Sequence, residues 1–395
     1  MLATTPSRIA ASLIQDGPTH RADLARRLSI SRTAVTNAMS TLMEQGLVRA
    51  EPRTGDGATL KDDMHLTPRF GLFAAVVIDF DETVIGIGTP DGRLLETAVV
   101  PGDPRARGED PTRRAAQAVR ELLGRIDEPS SMLGVLLAVN TQADQGTGEV
   151  LGATASAAWA DINPKLLMEQ ELGVPVHLEN TARLLALAEQ LDRPGVSDLL
   201  YVQLSYGVAM GQVVEGRILS GSRGGAGELG HMSIDLEGRE CTCAGRGCLM
   251  QYIGRDALAA EAARALGPGT DVPDLVRAGR AGEPAATALL ADLGTRTGTM
   301  LTGLCNLLAP TTLVIGGHLD EAGELFLGPL RTALRARALP LVADALAIER
   351  ATGSLEHATV LDAALLCLRR DPALRADVIS RSLATTRTRR SRKVS

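Results

Sequence analysis

Aromatic residues are scarce in this chain of 395 residues: they form 2% of it, and only one is a tryptophan. Hydrophobic residues still reach 45%, so the cores must be built from Ala, Leu and Val. Residues 1–20 lack the basic start and apolar core of a secretory signal. No apolar run is long enough to span a bilayer. These absences predict a cytoplasmic protein without a membrane partner, and the length is typical of two or three domains.

A strong positive charge is also missing, because the formal net charge is −6. This balance argues against a protein that coats nucleic acid along its whole surface. It leaves room for a small DNA-binding domain whose basic residues are locally placed.

Cysteine is rare as well, with five in the chain, yet three of them lie in one short stretch that ends at Cys248. One imidazole and three thiols from this stretch form a complete tetrahedral ligand set for structural Zn²⁺: His231, Cys241, Cys243 and Cys248. The glycines between the last two cysteines let the loop curl around one ion. The alternative is a disulfide beside buried free thiols, which a cytoplasmic chain is not expected to keep.

Residues 1–70 are predicted to form a winged helix-turn-helix domain, with residues 68–71 as the linker that follows. Apolar residues at helical spacing indicate three short helices, and a strand begins after the third. Ser31 is expected to cap the third helix, which would enter the major groove. The alternative for its polar face is simple solvation. We expect DNA contacts from this helix and the wing, namely Ser31, Arg32, Thr33, Thr36, Asn37, Arg49 and Arg53.

The rest of the chain reads as α/β with an internal repeat. Residues 72–79 predict a buried strand that leads into a hairpin, and the same plan returns at residues 199–217. Strands alternate with helices, which predicts two layered lobes with a cleft between them. We expect lobe 1 at 71–180, completed by a helix near 357–372, then lobe 2 with the zinc loop at 181–356 and a basic disordered tail at 373–395.

The run Gly-Glu-Leu-Gly-His that ends at His231, followed by Cys-x-Cys and Gly-Cys, resembles the ROK family of sugar kinases and repressors. The resemblance covers nearly the whole chain from residue 72, and the helix-turn-helix in front of it resembles the repressor branch. It implies an actin-like, hexokinase-like ROK domain and the same four zinc ligands. Trp159 stands where family members often keep an aromatic residue near the cleft.

The phosphate-binding motif of the kinases is altered in this chain. Where they carry Asp-x-Gly-Gly-Thr-Lys, residues 79–84 place Asp81 and Glu82 at the glycines and Val84 at the lysine. Glycines let the backbone approach phosphate, whereas carboxylates repel it. We therefore expect no ATP to bind.

The catalytic aspartate of the family's Asn-Asp-Ala-Asn run corresponds to Thr181. A threonine hydroxyl cannot act as a general base near neutral pH, and the loss of such a base typically lowers a rate by ~10²–10⁴. The chain is therefore predicted not to be an enzyme. We expect Thr181 to serve instead as the N-cap of the following helix.

Of the residues that grip a sugar in this family, the chain keeps Asn180, Glu228 and His231. It replaces two carboxylates with Thr181 and Met250, which makes the pocket less polar. Glu228 has a second interpretation, as a buried carboxylate that holds the zinc loop in place, and both remain open.

These features predict a zinc-containing transcriptional regulator, a repressor, that senses a sugar-derived metabolite in the cleft without phosphorylating it. It would bind a double-stranded operator as a homodimer or homotetramer. One alternative is a regulator that acts on DNA without an effector. A less favoured alternative is an active sugar kinase with an added DNA-binding domain.

Overall fold

Three short helices open the chain in the computed structural model, which describes residues 4–52, 62–79, 81–102, 109–128, 130–150, 159, 161–205, 207–352 and 357–391. They are α1 (Thr5–Asp16), α2 (Arg21–Leu28) and α3 (Arg32–Glu44). The Ser31 side chain accepts a hydrogen bond from the Ala34 amide at 3.1 Å, which confirms it as the cap of α3. The strands β1 (Thr19–His20), β2 (Val48–Pro52) and β3 (Asp62–Leu66) form an antiparallel sheet in the order β1-β3-β2.

The next sheet has its most apolar strand at the centre. Its members are β4 (Leu72–Ile78), β5 (Glu82–Gly88), β6 (Leu94–Pro101), β7 (Met132–Val139) and β8 (Val176–Asn180), in the order β6-β5-β4-β7-β8. Every residue of β4 is buried, because neighbours cover the strand on both sides. The accompanying helices are α4 (Asp110–Leu123) and α5 (Pro164–Leu172).

A second sheet repeats this plan, as the sequence predicts. It holds β9 (Asp198–Leu204), β10 (Val208–Val214), β11 (Arg217–Ile218), β12 (Thr312–Gly316) and β13 (Ala347–Arg350), in the order β11-β10-β9-β12-β13. In both sheets the first strand pairs antiparallel with the next strand and parallel with a later one.

The helices of this part of the chain are α6 (Thr181–Leu191), α7 (Met250–Ile253), α8 (Arg255–Leu266), α9 (Val272–Arg280), α10 (Pro284–Leu308), α11 (Glu324–Arg335) and α12 (Pro340–Ala345). Among the helices that the structure describes, none has the length and apolar character needed to cross a membrane.

Two units emerge from the contacts between residues: Met1–Val139 with Ile162–Leu178 and Leu361–Ser395, and Asn140–Asp161 with Glu179–Val360. The DNA-binding helices therefore share the first unit with the sheet that contains β4, which we call the first sheet. Residues 140–161, which the sequence prediction assigns to lobe 1, belong to the second unit. The reason is long-range: the Gln145 side chain donates to Glu179, and its amide donates to the Arg223 carbonyl.

The predicted disordered tail is wrong for residues up to Ser391. The chain ends in α13 (His357–Arg370) and α14 (Pro372–Ser391). Apolar side chains on one face of α14, including Leu374 and Val378, are buried, and the Ser382 hydroxyl donates to the Phe70 carbonyl at 2.6 Å. The basic composition of the tail hid this apolar spacing. Residues 392–395 lie outside the described part of the chain.

Asp91, in the turn between β5 and β6, joins the DNA-binding domain to the sheet that contains β4. It is 1% exposed, and its carboxylate accepts from the Leu66 amide at 2.8 Å and from the Thr89 hydroxyl at 2.5 Å. Burial raises the pKa of Asp91, although these two hydrogen bonds oppose the rise. Nearby, Arg369 Nε donates to the Ile14 carbonyl at 2.8 Å. A turn that the sequence marks only as a hairpin is therefore also an anchor for the wing.

Asp91→Ala should destabilise the first unit, because it leaves the buried Leu66 amide without its acceptor. An unsatisfied buried donor costs about 1–3 kcal/mol. Urea unfolding followed by circular dichroism measures the change. The exposed Asp344 of α12 provides the control, since surface substitutions usually stay within about 0.5 kcal/mol. Equal unfolding free energies for Asp91→Ala and Asp344→Ala would contradict the anchoring role.

Candidate metal centre and ligand site

The four predicted metal ligands lie together. The ligand atoms of His231, Cys241, Cys243 and Cys248 are all within 4.8 Å of one another. Cys241 Sγ is 3.6 Å from His231 Nδ1, and Cys243 Sγ is 3.5 Å from Cys248 Sγ. Two sulfurs bound tetrahedrally to zinc at ~2.3 Å lie ~3.8 Å apart, so the observed spacing suits a metal ion. None of the five cysteines forms a disulfide, so the disulfide alternative is not realised.

The loop closes around this cluster because of its glycines. Gly247 has a φ of 64°, and a Cβ there would lie 1.7 Å from the Asp235 carbonyl oxygen. The Cys241 amide donates to the Gly245 carbonyl at 2.9 Å, which turns the chain back between the ligands. A larger residue at position 247 would force the loop open.

The thiol pKa values move in opposite directions. Burial raises the pKa of Cys248 to about 12, and the neighbouring Cys243 and Cys241 add to the rise. Burial also raises the pKa of Cys241, but hydrogen bonds from the Cys243 amide, Gln251 and His231 outweigh it and lower the pKa to about 6. Thiolates this close repel one another unless a cation lies between them. The cluster can therefore hold a metal ion, and its donor set fits Zn²⁺.

Glu228 is placed by the residue before it. Gly227 has a φ of 98°, and a Cβ there would lie 2.1 Å from the Met210 carbonyl oxygen. The Gly227 carbonyl accepts from the Met210 and Leu229 amides, which seats the segment on β10. A short 3-10 turn, Leu229–His231, then carries the chain to the metal ligand. Burial raises the pKa of the Glu228 carboxyl, with His231 and Arg183 acting in the opposite direction.

A buried ion pair that the sequence analysis did not identify lies beside this segment. Arg183 Nε donates to Glu179 Oε1 at 2.6 Å, and the two side chains are only 3% and 10% exposed. Arg183 Nη1 donates to the carbonyls of Gly224 and Ala226, both at 2.7 Å. The guanidinium thus ties the start of α6 to the segment that leads into Glu228.

The loop after β7 is hydrogen-bonded to the ion pair of Arg183 and Glu179. Gln145 Nε2 donates to Glu179 Oε2 at 3.0 Å. The Thr147 amide and the Arg223 guanidinium hold the pKa of the neighbouring Asp144 carboxyl at about 2. Trp159 is buried, and its Nε1 donates to Asn140 Oδ1 at 2.7 Å. In the sequence, the signal for these contacts is the polar run from Asn140 to Asp144, which directly follows an apolar strand.

Asn180, and not Thr181, caps α6. The Asn180 side-chain oxygen accepts from the Ala182 amide at 2.9 Å, and its Nδ2 donates to the Thr141 carbonyl at 3.4 Å. The predicted cap is wrong by one residue because Asn180 still has the extended backbone of β8, whereas Thr181 is already helical. Asn180, Glu228 and His231 all belong to the second unit, and Arg183 donates to the Ala226 carbonyl two residues before Glu228.

Met250 lies at the start of α7, near the metal loop. A Cβ at Gly230 would lie 3.0 Å from Met250 Cε, and one at Gly207 would lie 3.6 Å from it. The apolar methyl group of Met250 therefore occupies space beside Gly207 and Gly230.

The expected DNA-reading face of α3 is exposed. Ser31, Arg32, Thr33, Thr36 and Asn37 all lie on the surface. The Thr36 hydroxyl donates to the Arg32 carbonyl at 2.9 Å.

The two residues predicted to contact DNA from the wing are Arg49 and Arg53. Arg49 is half-buried, forms an ion pair with Glu51 and lies 3.7 Å from Glu128. A DNA contact from Arg49 would require these pairs to open. Arg53 falls outside the described residues.

Residues 81–370 match the ROK family, and residues 5–49 match a winged helix-turn-helix DNA-binding domain. The chain belongs to the ROK family. A glucokinase of Halalkalibacterium halodurans is 28% identical to it over 289 residues, or 68% of this chain and 87% of the relative. A xylose repressor of Bacillus spizizenii is 22% identical over 337 residues, or 83% of this chain and 85% of the relative.

One solved ROK family transcriptional regulator, described as a homolog of the E. coli MLC protein, superposes with a TM-score of 0.74. It is 20% identical, and the match covers 95% of this chain and 98% of that one. The expected fold class, a winged helix-turn-helix followed by an α/β ROK domain, is confirmed.

Removing one cluster thiol should remove the metal ion from this ROK domain. We predict about one ion per chain in wild-type protein and a substoichiometric amount in Cys243→Ala after dialysis against a chelator, because ligand loss weakens coordination. Elemental analysis measures both. Cys367→Ala, away from the cluster, should retain the ion. Wild-type protein that contains no metal when purified without a chelator would refute the site.

Proposed function

We propose that this protein is a ROK-family transcriptional repressor that binds zinc and a neutral sugar and transfers no phosphate. The observation that carries the proposal is Thr181. It stands at the family's catalytic aspartate, between the retained Asn180 and the buried Arg183, in a chain that also carries a DNA-binding domain.

The metal in this proposal is a structural Zn²⁺. The ligands would be His231, Cys241, Cys243 and Cys248, three thiols and an imidazole with no position left for substrate. Because the short turn Leu229–His231 connects Glu228 to the first ligand, the ion would fix the backbone that presents this carboxylate.

Lack of kinase chemistry is supported at two places in the sequence. Thr181 cannot take a proton from a sugar hydroxyl near neutral pH. Asp81, in the turn after β4, and Glu82, the first residue of β5, bring negative charge to the place where a kinase binds phosphate. The proposed regulator therefore does not need ATP.

Sugar binding is supported by the retained Asn180, Glu228 and His231 and by the relatives, whose names refer to xylose and glucose. Glu228 is half-buried and can accept a sugar hydroxyl. Sensing needs only a difference in sugar affinity between two states of the regulator, and no bond has to form.

Operator binding would use two copies of α3. A dimer, or a pair of dimers, places two recognition helices on half-sites separated by whole turns of DNA. The exposed Arg32 and Asn37 have the chemistry to contact base edges.

Regulation without an effector is the second candidate. The observation in its favour is that both polar ends of the Asn180 side chain already have partners inside the protein. A sugar would have to share or displace these bonds.

Arg32→Ala and Asn37→Ala should each weaken specific operator binding by about 1–3 kcal/mol, because each removes a base contact. Fluorescence anisotropy on an operator selected from genomic DNA measures the loss. Arg280→Ala removes an exposed arginine from α9 and serves as the control. Wild-type affinity in both α3 variants would show that another face reads the DNA.

Glu228→Gln should blunt the response of operator affinity to sugar, because the amide is a weaker hydroxyl acceptor than a carboxylate. The measurement is operator affinity with and without D-xylose or D-glucose, and affinity without sugar separates lost sensing from lost DNA binding. Glu283→Gln, exposed before α10, is the matched control. A full response in Glu228→Gln would assign this residue to holding the metal loop alone.

A further inference from the structure

Two buried threonine hydroxyls of the second unit have no hydrogen-bond partner in the structure. They are Thr141 Oγ1 and Thr181 Oγ1, on residues that are 6% and 2% exposed. Buried polar groups are nearly always hydrogen-bonded, and one left without a partner destabilises the protein. Two such groups in one region therefore need a physical explanation.

The two threonines belong to the same corner of the fold. Thr181 follows Asn180 directly, and the Asn180 side chain donates to the Thr141 carbonyl at 3.4 Å. Two residues further along α6, Arg183 holds the Ala226 carbonyl at 2.7 Å, two residues before Glu228. Thr181 thus lies next to the proposed sugar ligand Asn180, and Thr141 lies in the loop that the Asn180 side chain contacts.

The position of Thr181 in α6 explains why its hydroxyl has no carbonyl acceptor within the helix. A threonine inside a helix can donate to the carbonyl four residues earlier, as the buried Thr297 does to Leu293 at 2.8 Å. Thr181 is the first residue of α6, so the residue four positions before it lies in β8 and offers no helical carbonyl. Its buried hydroxyl therefore has no partner within the protein.

We propose that Thr141 and Thr181 are sugar contacts of this regulator, and that hydroxyl groups of a neutral sugar supply the two missing hydrogen bonds. This inference rests on the proposed sugar-sensing function and adds two recognition residues to it. A threonine hydroxyl both donates and accepts, so it suits a sugar hydroxyl, which does the same. A ligand without hydroxyls at these positions would leave both groups unpaired and would be rejected.

The test replaces each hydroxyl by a methyl group of similar size, in Thr141→Val and Thr181→Val. D-xylose and D-glucose are titrated into the full chain by calorimetry, and the Tm of the sugar-free protein is measured in parallel. We expect each variant to bind the sugar at least ~10-fold more weakly, as for a lost buried hydrogen bond. Its Tm without sugar should rise, because an unsatisfied hydroxyl has been removed.

Thr297→Val is the matched control, because this buried threonine already has its partner. It should keep the wild-type sugar affinity and should not raise the Tm. Wild-type sugar affinity in both test variants would overturn the inference while sugar sensing stands. A lower Tm in both variants would show that internal water satisfies the hydroxyls, which also overturns it. If neither sugar binds wild-type protein, the sensing proposal fails and the inference fails with it.

Discussion

The ion pair between Arg183 and Glu179 is the interaction on which the proposed ligand site depends. Removing two charges from water is unfavourable, so a buried pair persists only when further hydrogen bonds satisfy both partners. Here Glu179 also accepts from Gln145 and the Asn180 amide, while Arg183 donates to two carbonyls before Glu228. The pair therefore joins the loop after β7, the start of α6 and the approach to the metal loop, and it explains why Asn140–Asp161 belongs to the second unit.

The first unit is organised around a comparable but separate anchor. The sequence marks residues 68–71 as a linker, yet Pro68 and Phe70 are buried, and a Cβ at Gly71 would lie 2.3 Å from Leu133. Together with the Asp91 and Arg369 contacts, this packing fastens the DNA-binding helices to the first sheet. A rigid attachment of this kind is what a regulator needs if a change in its body is to alter the position of α3.

Features encoded locally could be predicted from the sequence. The three helices at the N-terminus follow apolar spacing, and the metal cluster follows the spacing of His231 and three cysteines. The errors arose where distant residues decide the outcome. The role of Arg183 depends on carbonyl partners some 40 residues later in the chain. The buried position of α14 likewise depends on a contact with the distant Phe70. The cap of α6 lies one residue earlier than predicted, because Asn180 keeps the extended backbone of β8.

The proposed function requires that a sugar changes the DNA affinity of this protein without phosphoryl transfer. The most direct measurement is the anisotropy of labelled operator DNA titrated with D-xylose and D-glucose, with and without ATP and Mg²⁺. We predict that one sugar alone weakens operator binding by about 5–150-fold, the usual range of such coupling, and that ATP leaves the shift unchanged. A shift that appears only with ATP, or no shift with either sugar, would contradict it.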